Sequence, residues 1–233
     1  MNRRKRGIIL ATAFSVAPFL GTGVNALEEG GYVGSAGEGN ETTVYNFLRH
    51  FAYEQYYWAI QQQFTTNNDN RVDAMDFAFF SGHGNQWYIQ TTNGGVDLKT
   101  AGSDPWHWGW GDVDLEFIAF EACKVVPSPI EVGDDWWWNW VKPDGVFDGL
   151  HQALGFHTYS YFSTDQDIAD YFGYRISSGY AVWQSWFDAI NARGNGIQFG
   201  AAVMWPPAEY DTYYSFVADP PIDHTWLKIW WQH

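Results

Sequence analysis

Two short apolar segments, each followed at once by small or polar residues, are the clearest feature of the hydrophobic pattern. Residues 74–80 read A-M-D-F-A-F-F and end before Ser81-Gly82-His83-Gly84, and residues 115–120 read L-E-F-I-A-F and end before Glu121-Ala122-Cys123. Apolar side chains occupy both alternating faces of each segment, which is typical of strands that are covered on both sides in an α/β sheet. The pattern therefore predicts two buried strands.

Helical and strand patterns follow one another over the rest of the chain. Helical spacing of the apolar residues predicts helices at residues 43–63, 147–154, 165–176 and 181–192. Short or alternating apolar runs predict further strands at residues 86–92, 156–162, 197–204 and 226–231. The strand at 86–92 is half of a hairpin that turns at Asn93-Gly94, and the connection at residues 95–114 is expected to be irregular. Strands that alternate with helices predict a layered α/β domain.

The first 26 residues have the three parts of a signal peptide. Four basic residues at positions 3–6 precede an apolar run at residues 8–20, and Val24-Asn25-Ala26 supplies the small residues of a cleavage site. The run is too short and too broken for a stable membrane-spanning helix, which needs about 20 apolar residues. We therefore expect residues 1–26 to be removed and residues 27–233 to form a single domain. The protein is expected to be secreted or extracellular, with the cell envelope as an alternative, and without integral membrane association.

The charge of the expected mature chain is strongly acidic. Residues 1–26 contain four of the 12 basic residues and no acidic residue, so 8 basic residues would face 27 acidic ones. Such a charge repels nucleic acid, and nucleic-acid binding is excluded on this ground. The hydrophobic content of 46% is too high for an intrinsically disordered chain.

The chain contains one cysteine, Cys123, and an unpaired cysteine in an exported protein needs an explanation. It is either a buried, inert sulfur or a reactive thiol. The reacting groups of an open parallel sheet gather beyond the carboxyl ends of its strands, and both His83 and Cys123 directly follow a predicted strand. If the strands are neighbours, an imidazole faces a thiol that it can activate for nucleophilic attack. Gly82 and Gly84 would let the backbone approach a substrate and offer an N–H to an oxyanion.

The two blocks F-A-F-F-S-G-H-G and F-I-A-F-E-A-C resemble the superfamily of caspases, legumains and gingipains, and the second block is most similar to legumain. The resemblance covers residues 76–126. It implies a caspase-like three-layer α/β sandwich with a mostly parallel central sheet between helices. It also implies that His83 is the catalytic histidine, Cys123 the nucleophile, and the backbone N–H groups of Gly84 and Cys123 the oxyanion hole. Glu121 matches a residue that lines the specificity pocket in legumains, and Asp165 is a second candidate for that pocket.

Other polar residues give weaker patterns. Asp69, Asn70 and Asp73 carry oxygen donors for calcium, but the twelve-residue calcium loop is missing, and a plain turn is the preferred interpretation. His107 lies between tryptophans and near aspartates without the spacing of a metal site. We therefore predict no metal and no cofactor. His151 is predicted to be structural, as is the other histidine of this region, at position 157.

Two functions follow from these patterns. The first is a secreted cysteine hydrolase, an endopeptidase that acts on a peptide or protein substrate with a Cys-His dyad. The second is a non-catalytic extracellular module on a peptidase-like scaffold, which binds carbohydrate or cell-wall polymer through the tryptophan-rich stretches at residues 106–110 and 136–140. The alternative for these tryptophans is that they fill the core. The sequence leaves the cleavage specificity and the oligomeric state open.

Overall fold

Strands and helices alternate along the part of the chain that the computed structural model describes, which is residues 27–99, 108–133, 138–141, 145–221 and 226–233. The strands there are β1 (Glu29–Val33), β2 (Glu54–Trp58), β3 (Phe77–Ser81), β4 (Gly84–Asn85), β5 (Tyr88–Thr91), β6 (Gly94–Asp97), β7 (Phe117–Glu121), β8 (Gln152–Phe156), β9 (Gly200–Met204) and β10 (Lys228–Trp231). The α-helices there are α1 (Asn40–Leu48), α2 (Gln61–Phe64), α3 (Pro129–Val132), α4 (Trp138–Val141), α5 (Phe162–Ser177) and α6 (Val182–Arg193). Short 3₁₀ turns lie at Asn68–Asn70, Val72–Ala74 and Pro206–Tyr210.

Seven of these strands form one sheet with the order β10-β9-β8-β7-β3-β1-β2. The five strands from β8 to β2 run parallel to one another, and β9 is antiparallel to both β8 and β10. The strands β4, β5 and β6 form a separate antiparallel sheet. The mostly parallel central sheet that the sequence predicts is therefore confirmed.

The central sheet is buried on both faces, as the unbroken apolar runs predict. In β3, Phe77 and Phe79 pack into one hydrophobic cluster, while Ala78 and Phe80 pack into the cluster on the other face. The same alternation holds in β7. Apolar side chains are needed at every position because neither face of these strands contacts water.

The two faces are covered by different elements. The long helices α1, α5 and α6 cover one face with buried residues such as Phe47, Phe172 and Trp186. The short helices α2 and α4, together with the small sheet, cover the other face, where Trp110 and Trp140 are fully buried. The result is a three-layer α/β arrangement with helices on both sides of the sheet, consistent with a caspase-like sandwich.

Several predicted elements are confirmed. The segments at 74–80, 86–92, 115–120, 197–204 and 226–231 contain β3, β5, β7, β9 and β10, and the helices at 165–176 and 181–192 are α5 and α6. The hairpin turn at Asn93-Gly94 joins β5 to β6. The connection between β6 and β7 contains no helix in its described residues, as expected.

Three predictions of secondary structure are wrong. The predicted helix at 43–63 ends at Leu48 and is followed by β2, an edge strand whose alternate side chains are exposed. The predicted helix at 147–154 instead leads into β8, which lies between β7 and β9 with all its residues buried. The predicted strand at 156–162 is wrong because β8 ends at Phe156 and α5 begins at Phe162. The strand β1 is not among the strands that the hydrophobic pattern predicts.

Two further points concern the rest of the chain. The predicted signal peptide lies outside the described residues, as do His107 and the tryptophans at positions 106, 136 and 137. None of the helices in the described ranges combines the length and the apolar character that a bilayer span requires.

We predict that Phe79→Ala lowers the free energy of unfolding by about 3 to 5 kcal/mol, because it leaves a cavity under α1. The Phe79 ring is fully buried and stacks on Phe47 with centroids 4.3 Å apart. Urea unfolding would measure the change. The matched control is Tyr45→Ala on the exposed side of α1, where a change of roughly 0.5 kcal/mol is expected. Equal effects of the two substitutions would contradict this packing.

Candidate active site

His83 and Cys123 follow neighbouring parallel strands in equal register. Ser81 at the end of β3 pairs with Glu121 at the end of β7. The N–H of Gly82 donates to the carbonyl oxygen of Glu121 at 3.2 Å, which continues the pairing beyond the strands. His83 lies two residues after the end of β3, and Cys123 lies two residues after the end of β7. The two residues lie at the same end of the sheet, on segments that remain side by side.

The thiol of Cys123 is free and partly exposed. Its Sγ lies 3.8 Å from the carbonyl oxygen and 3.7 Å from the hydroxyl of Ser160, which precedes α5. The next residue, Lys124, has a φ of 57°, a left-handed conformation that is unfavourable for a side chain of this kind. Its N–H donates to the carbonyl oxygen of Thr158 at 2.9 Å. The strained turn after the cysteine is therefore fixed to the segment that leads into α5.

The imidazole of His83 is held by a carboxylate that sequence reasoning missed. Its Nε2 lies 2.9 Å from Oε2 of Glu38, and the two side chains are 53% and 40% exposed. The edge of the ring also contacts Phe162, at 6.1 Å between centroids. Glu38 lies in the glycine-rich loop between β1 and α1. Because β1 was not predicted, only the spacing of glycine, serine and glutamate in residues 34–39 could have identified this loop.

A chain of hydrogen bonds fixes the position of Glu38. The hydroxyl of Ser81 donates to Oδ1 of Asn40 at 2.9 Å, and Nδ2 of Asn40 donates to the hydroxyl of Ser35 at 2.8 Å. The hydroxyl of Ser35 in turn donates to Oε2 of Glu38 at 2.9 Å. The end of β3 and the start of α1 thus orient the carboxylate that contacts His83.

The imidazole and the thiol each have their own partner. Among the described residues, His83 contacts Glu38 and Cys123 contacts Ser160, and no hydrogen bond joins the imidazole to the thiol. Hydrogen bonds between catalytic groups are often long in a structure without substrate and shorten when substrate binds.

Gly84 brings a backbone N–H close to Cys123. A Cβ atom at this position would lie 2.9 Å from Cβ of Ala122 and 3.1 Å from the carbonyl oxygen of Cys123, so no side chain fits. The N–H of Gln90 donates to the carbonyl oxygen of His83, which makes the pairing of Gly84 with Ile89 a non-hydrogen-bonded pair. The N–H of Gly84 therefore points away from β5. The N–H of Cys123 makes no hydrogen bond within the described ranges.

Glu121 and Asp165 are buried together beneath the thiol. Both oxygens of the Glu121 carboxyl group are buried without a hydrogen-bond partner among the described residues. Burial raises the pKa of Glu121 well above its usual value, and the negative charges of Asp165 and Cys123 raise it further. Burial also raises the pKa of Asp165, while hydrogen bonds from the N–H of Tyr161 and from Nε2 of Gln198 oppose this shift. Burial and the charge of Asp165 therefore favour the protonated form of Glu121.

The remaining histidines that sequence analysis considered are structural where they are described. Nδ1 of His151 lies 2.7 Å from Oδ2 of Asp211, and both side chains are buried. Nδ1 of His157 lies 3.0 Å from Oε1 of Glu131. His151 precedes β8, at the opposite end of the sheet from His83 and Cys123, whereas His157 directly follows β8. In the two tryptophan-rich stretches, Trp110 and Trp140 are fully buried, as expected if they fill the core, whereas Trp138 is 50% exposed.

Comparison with known proteins gives a family and two distant structural similarities. A solved structure described as "Structure of Protease" has 14% sequence identity and a TM-score of 0.45, and the match covers 74% of this chain and 42% of that one. A complex of the pro- and mature domains of Porphyromonas gingivalis RgpB has 11% identity and a TM-score of 0.36, with 72% and 44% covered. This chain spans less than half the length of either. No curated protein sequence matches it. The family model described as a domain of unknown function, DUF6345, matches residues 23–231, and the chain belongs to that family.

Proposed function

We propose that the protein is an exported cysteine hydrolase that cleaves peptide bonds with Cys123 and His83. The observation that carries this proposal is the equal register of β3 and β7, which brings the imidazole and the thiol to the same end of the sheet. Reacting groups collect at this end of α/β sheets because loops and helix N-termini converge there. The order of basic, apolar and small residues at positions 1–26 supports export.

Two helix N-termini lie at the end of the sheet that carries the thiol. They belong to α1 and α5, and the positive end of a helix dipole favours negative charge, such as that of an oxyanion, in its vicinity. Glu38 contacts Nε2 of His83 and so favours the tautomer that has its proton on Nε2. Nδ1 of His83 is then the nitrogen that takes the proton of the thiol. Glu38 acts as a positioning residue because it contacts His83 and not the substrate.

Hydrolysis then follows in two steps. The thiolate of Cys123 attacks the carbonyl carbon of the peptide, and the resulting oxyanion accepts hydrogen bonds from the N–H groups of Gly84 and Cys123. The imidazolium of His83 gives its proton to the leaving amine as the C–N bond breaks, which leaves an acyl group on sulfur. His83 next removes a proton from water, the hydroxide attacks the acyl carbon, and the thiolate leaves as the carboxylic acid forms.

The buried acids beneath the thiol fit the floor of a specificity pocket. Burial favours the protonated form of Glu121, and Asp165 accepts hydrogen bonds from the N–H of Tyr161 and from Nε2 of Gln198, which stabilise its carboxylate. An acidic floor favours a basic or amide side chain at the cleavage position of the substrate. The role of Glu121 and Asp165 in substrate selection is part of the proposal.

The direct test is hydrolysis of a mixture of fluorogenic peptides by wild type, Cys123→Ala and His83→Gln. We expect Cys123→Ala to abolish hydrolysis and alkylation by iodoacetamide, because it removes the nucleophile. His83→Gln should lower kcat/KM by about 10² to 10⁴, the range for loss of a general acid and base. The control is His50→Gln, which removes a histidine that contacts Asp170 away from this site. Full activity in the first two variants would refute the proposal.

Glu38→Gln is expected to lower kcat about two- to fivefold with KM unchanged. The factor is small because the pair with His83 is half-exposed, and exposed ion pairs contribute about 0.2 to 1 kcal/mol. Added salt should lower the activity of wild type toward that of the variant, since salt screens the pair, and should change the variant little. If salt affects both proteins equally, Glu38 does not act through its charge on His83.

Stability should fall as the pH rises above about 4.5, and Glu121 should cause part of the loss. Its pKa is raised in the folded state, so above its unfolded value of about 4.3 the folded state holds a proton that the unfolded state has lost. Glu121→Gln should weaken this dependence by up to about 1.4 kcal/mol per pH unit. Urea unfolding between pH 5 and 8 measures the slope. Asp167→Asn, on the exposed side of α5, is the control, and an unchanged slope in Glu121→Gln would contradict the assignment.

A further inference from the structure

The opposite end of β3 and β7 carries a group of carboxylates that the proposed hydrolysis does not use. Asp76 directly precedes β3, and Asp114 and Glu116 precede β7. One carboxylate oxygen of each residue lies within 4.8 Å of those of the other two. This spacing allows a single cation to contact all three.

The backbone around these carboxylates is fixed before any ligand binds. The N–H of Asp76 donates to the carbonyl oxygen of Glu28 at 3.0 Å, and the N–H of Glu28 donates to Oδ2 of Asp76 at 2.6 Å. The N–H of Phe117 donates to the carbonyl oxygen of Asp76 at 3.2 Å. The segments before β1, β3 and β7 are therefore held together, and the carboxylates are preorganised.

An independent observation points to a ligand. Glu116 is only 7% exposed, and its Oε2 is fully buried without a hydrogen-bond partner among the described residues. A buried carboxylate oxygen without a partner is strongly unfavourable, and a bound cation removes this penalty. Oε2 of the nearby Glu29, which is 1% exposed, is in the same situation.

The charged groups that act on the three carboxylates add negative charge. Glu28 and Asp219 both repel Asp114, and Asp219 also repels Glu116. His151 is close to this group, since its backbone N–H donates to the carbonyl oxygen of Glu116 at 2.9 Å. Its imidazole contacts other aspartates, with Nδ1 on Asp211 and Nε2 3.6 Å from Asp219.

We propose that Asp76, Asp114 and Glu116 bind a calcium ion. Carboxylate oxygens are the ligands that calcium prefers, and it accepts six to eight of them in a flexible geometry that water and carbonyl oxygens complete. Magnesium requires a near-ideal octahedron and binds such groups less readily. Since β3 and β7 are about 17 Å long, the ion lies too far from Cys123 to take part in hydrolysis. Its role is to hold together the segments that enter the two central strands.

The test is calorimetric titration of chelator-treated full-length protein with CaCl2, for wild type and Asp114→Asn. We expect one calcium to bind wild type, and the exposed Asp114→Asn to weaken binding by about tenfold or more, since loss of even an outer-shell partner has such an effect. MgCl2 should bind more weakly than CaCl2. An absence of calcium binding to wild type, or tighter binding of magnesium, would overturn the proposal.

The Tm of Glu116→Gln, measured with and without calcium, distinguishes a metal ligand at this position from an acid with a purely structural role. Without calcium, the neutral amide removes repulsion between carboxylates, so the variant should have a higher Tm than wild type. With saturating calcium, wild type should gain Tm and the variant should not, so that the order reverses. The same order in both conditions would contradict the proposal.

A second acidic group in the same two segments provides the control. Oxygens of Asp69, Asp73 and Asp112 also lie within 4.8 Å of one another. Asp69 is exposed, and Asp69→Asn removes one charge near the proposed site without removing a proposed ligand. We expect calcium affinity to change less than about threefold, the size of a surface charge effect. Loss of binding in Asp69→Asn but not in Asp114→Asn would place the ion elsewhere and overturn the proposal.

Discussion

The register between β3 and β7 is the constraint on which the rest of this account depends. Ser81 pairs with Glu121, so every residue of one strand has a fixed neighbour on the other. A shift of one residue would turn each side chain to the other face of the sheet and separate His83 from Cys123. The register is strongly fixed because Phe77 and Phe79 are buried on one face of the sheet and Ala78 and Phe80 on the other, as are their partners in β7.

Two hydrogen-bonded groups extend from this register into the helix layer. One leads from Ser81 through the start of α1 to Glu38 and His83. The other leads from Cys123 to Ser160, and the N–H of the next residue, Tyr161, donates to Oδ1 of Asp165 at 3.1 Å. Each group joins a strand end to the N-terminus of a long helix. The same layer that buries the apolar face of the sheet therefore also orients the polar groups at its carboxyl end.

The central strands β3 and β7 could be predicted from the sequence because the apolar character of their side chains indicates burial. The apolar runs of β3 and β7 require burial on both faces, and the residues directly after them identify His83 and Cys123. The strand β1 could not be predicted in this way, since Gly30 and Gly31 have no side chains to show a pattern. These glycines are required because a Cβ atom at position 31 would lie 2.4 Å from Cγ1 of Val44. Glu38 was missed for the same reason, because its loop can be placed next to His83 only when β1 is known to be a strand of the sheet.

The two segments that were wrongly predicted as helices contain β2, at the edge of the sheet, and β8, near its centre. β2 is an edge strand, and the exposed Tyr56 and Trp58 gave it no clear apolar alternation. β8 contains Gln152, which is buried and donates to the carbonyl oxygen of Ala208, a contact that the local sequence does not show. In both cases contacts distant in the chain decide the structure.

The most direct measurement of the central claim is the formation of a disulfide in His83→Cys. Adjacent parallel strands place paired Cα atoms about 4.8 Å apart, within the range that a disulfide spans. The account predicts that the new thiol and Cys123 form an intramolecular disulfide under mild oxidation, with both thiols lost to alkylation and recovered by reduction. Two free thiols in the folded, oxidised variant would contradict the juxtaposition of positions 83 and 123, and with it the proposed dyad.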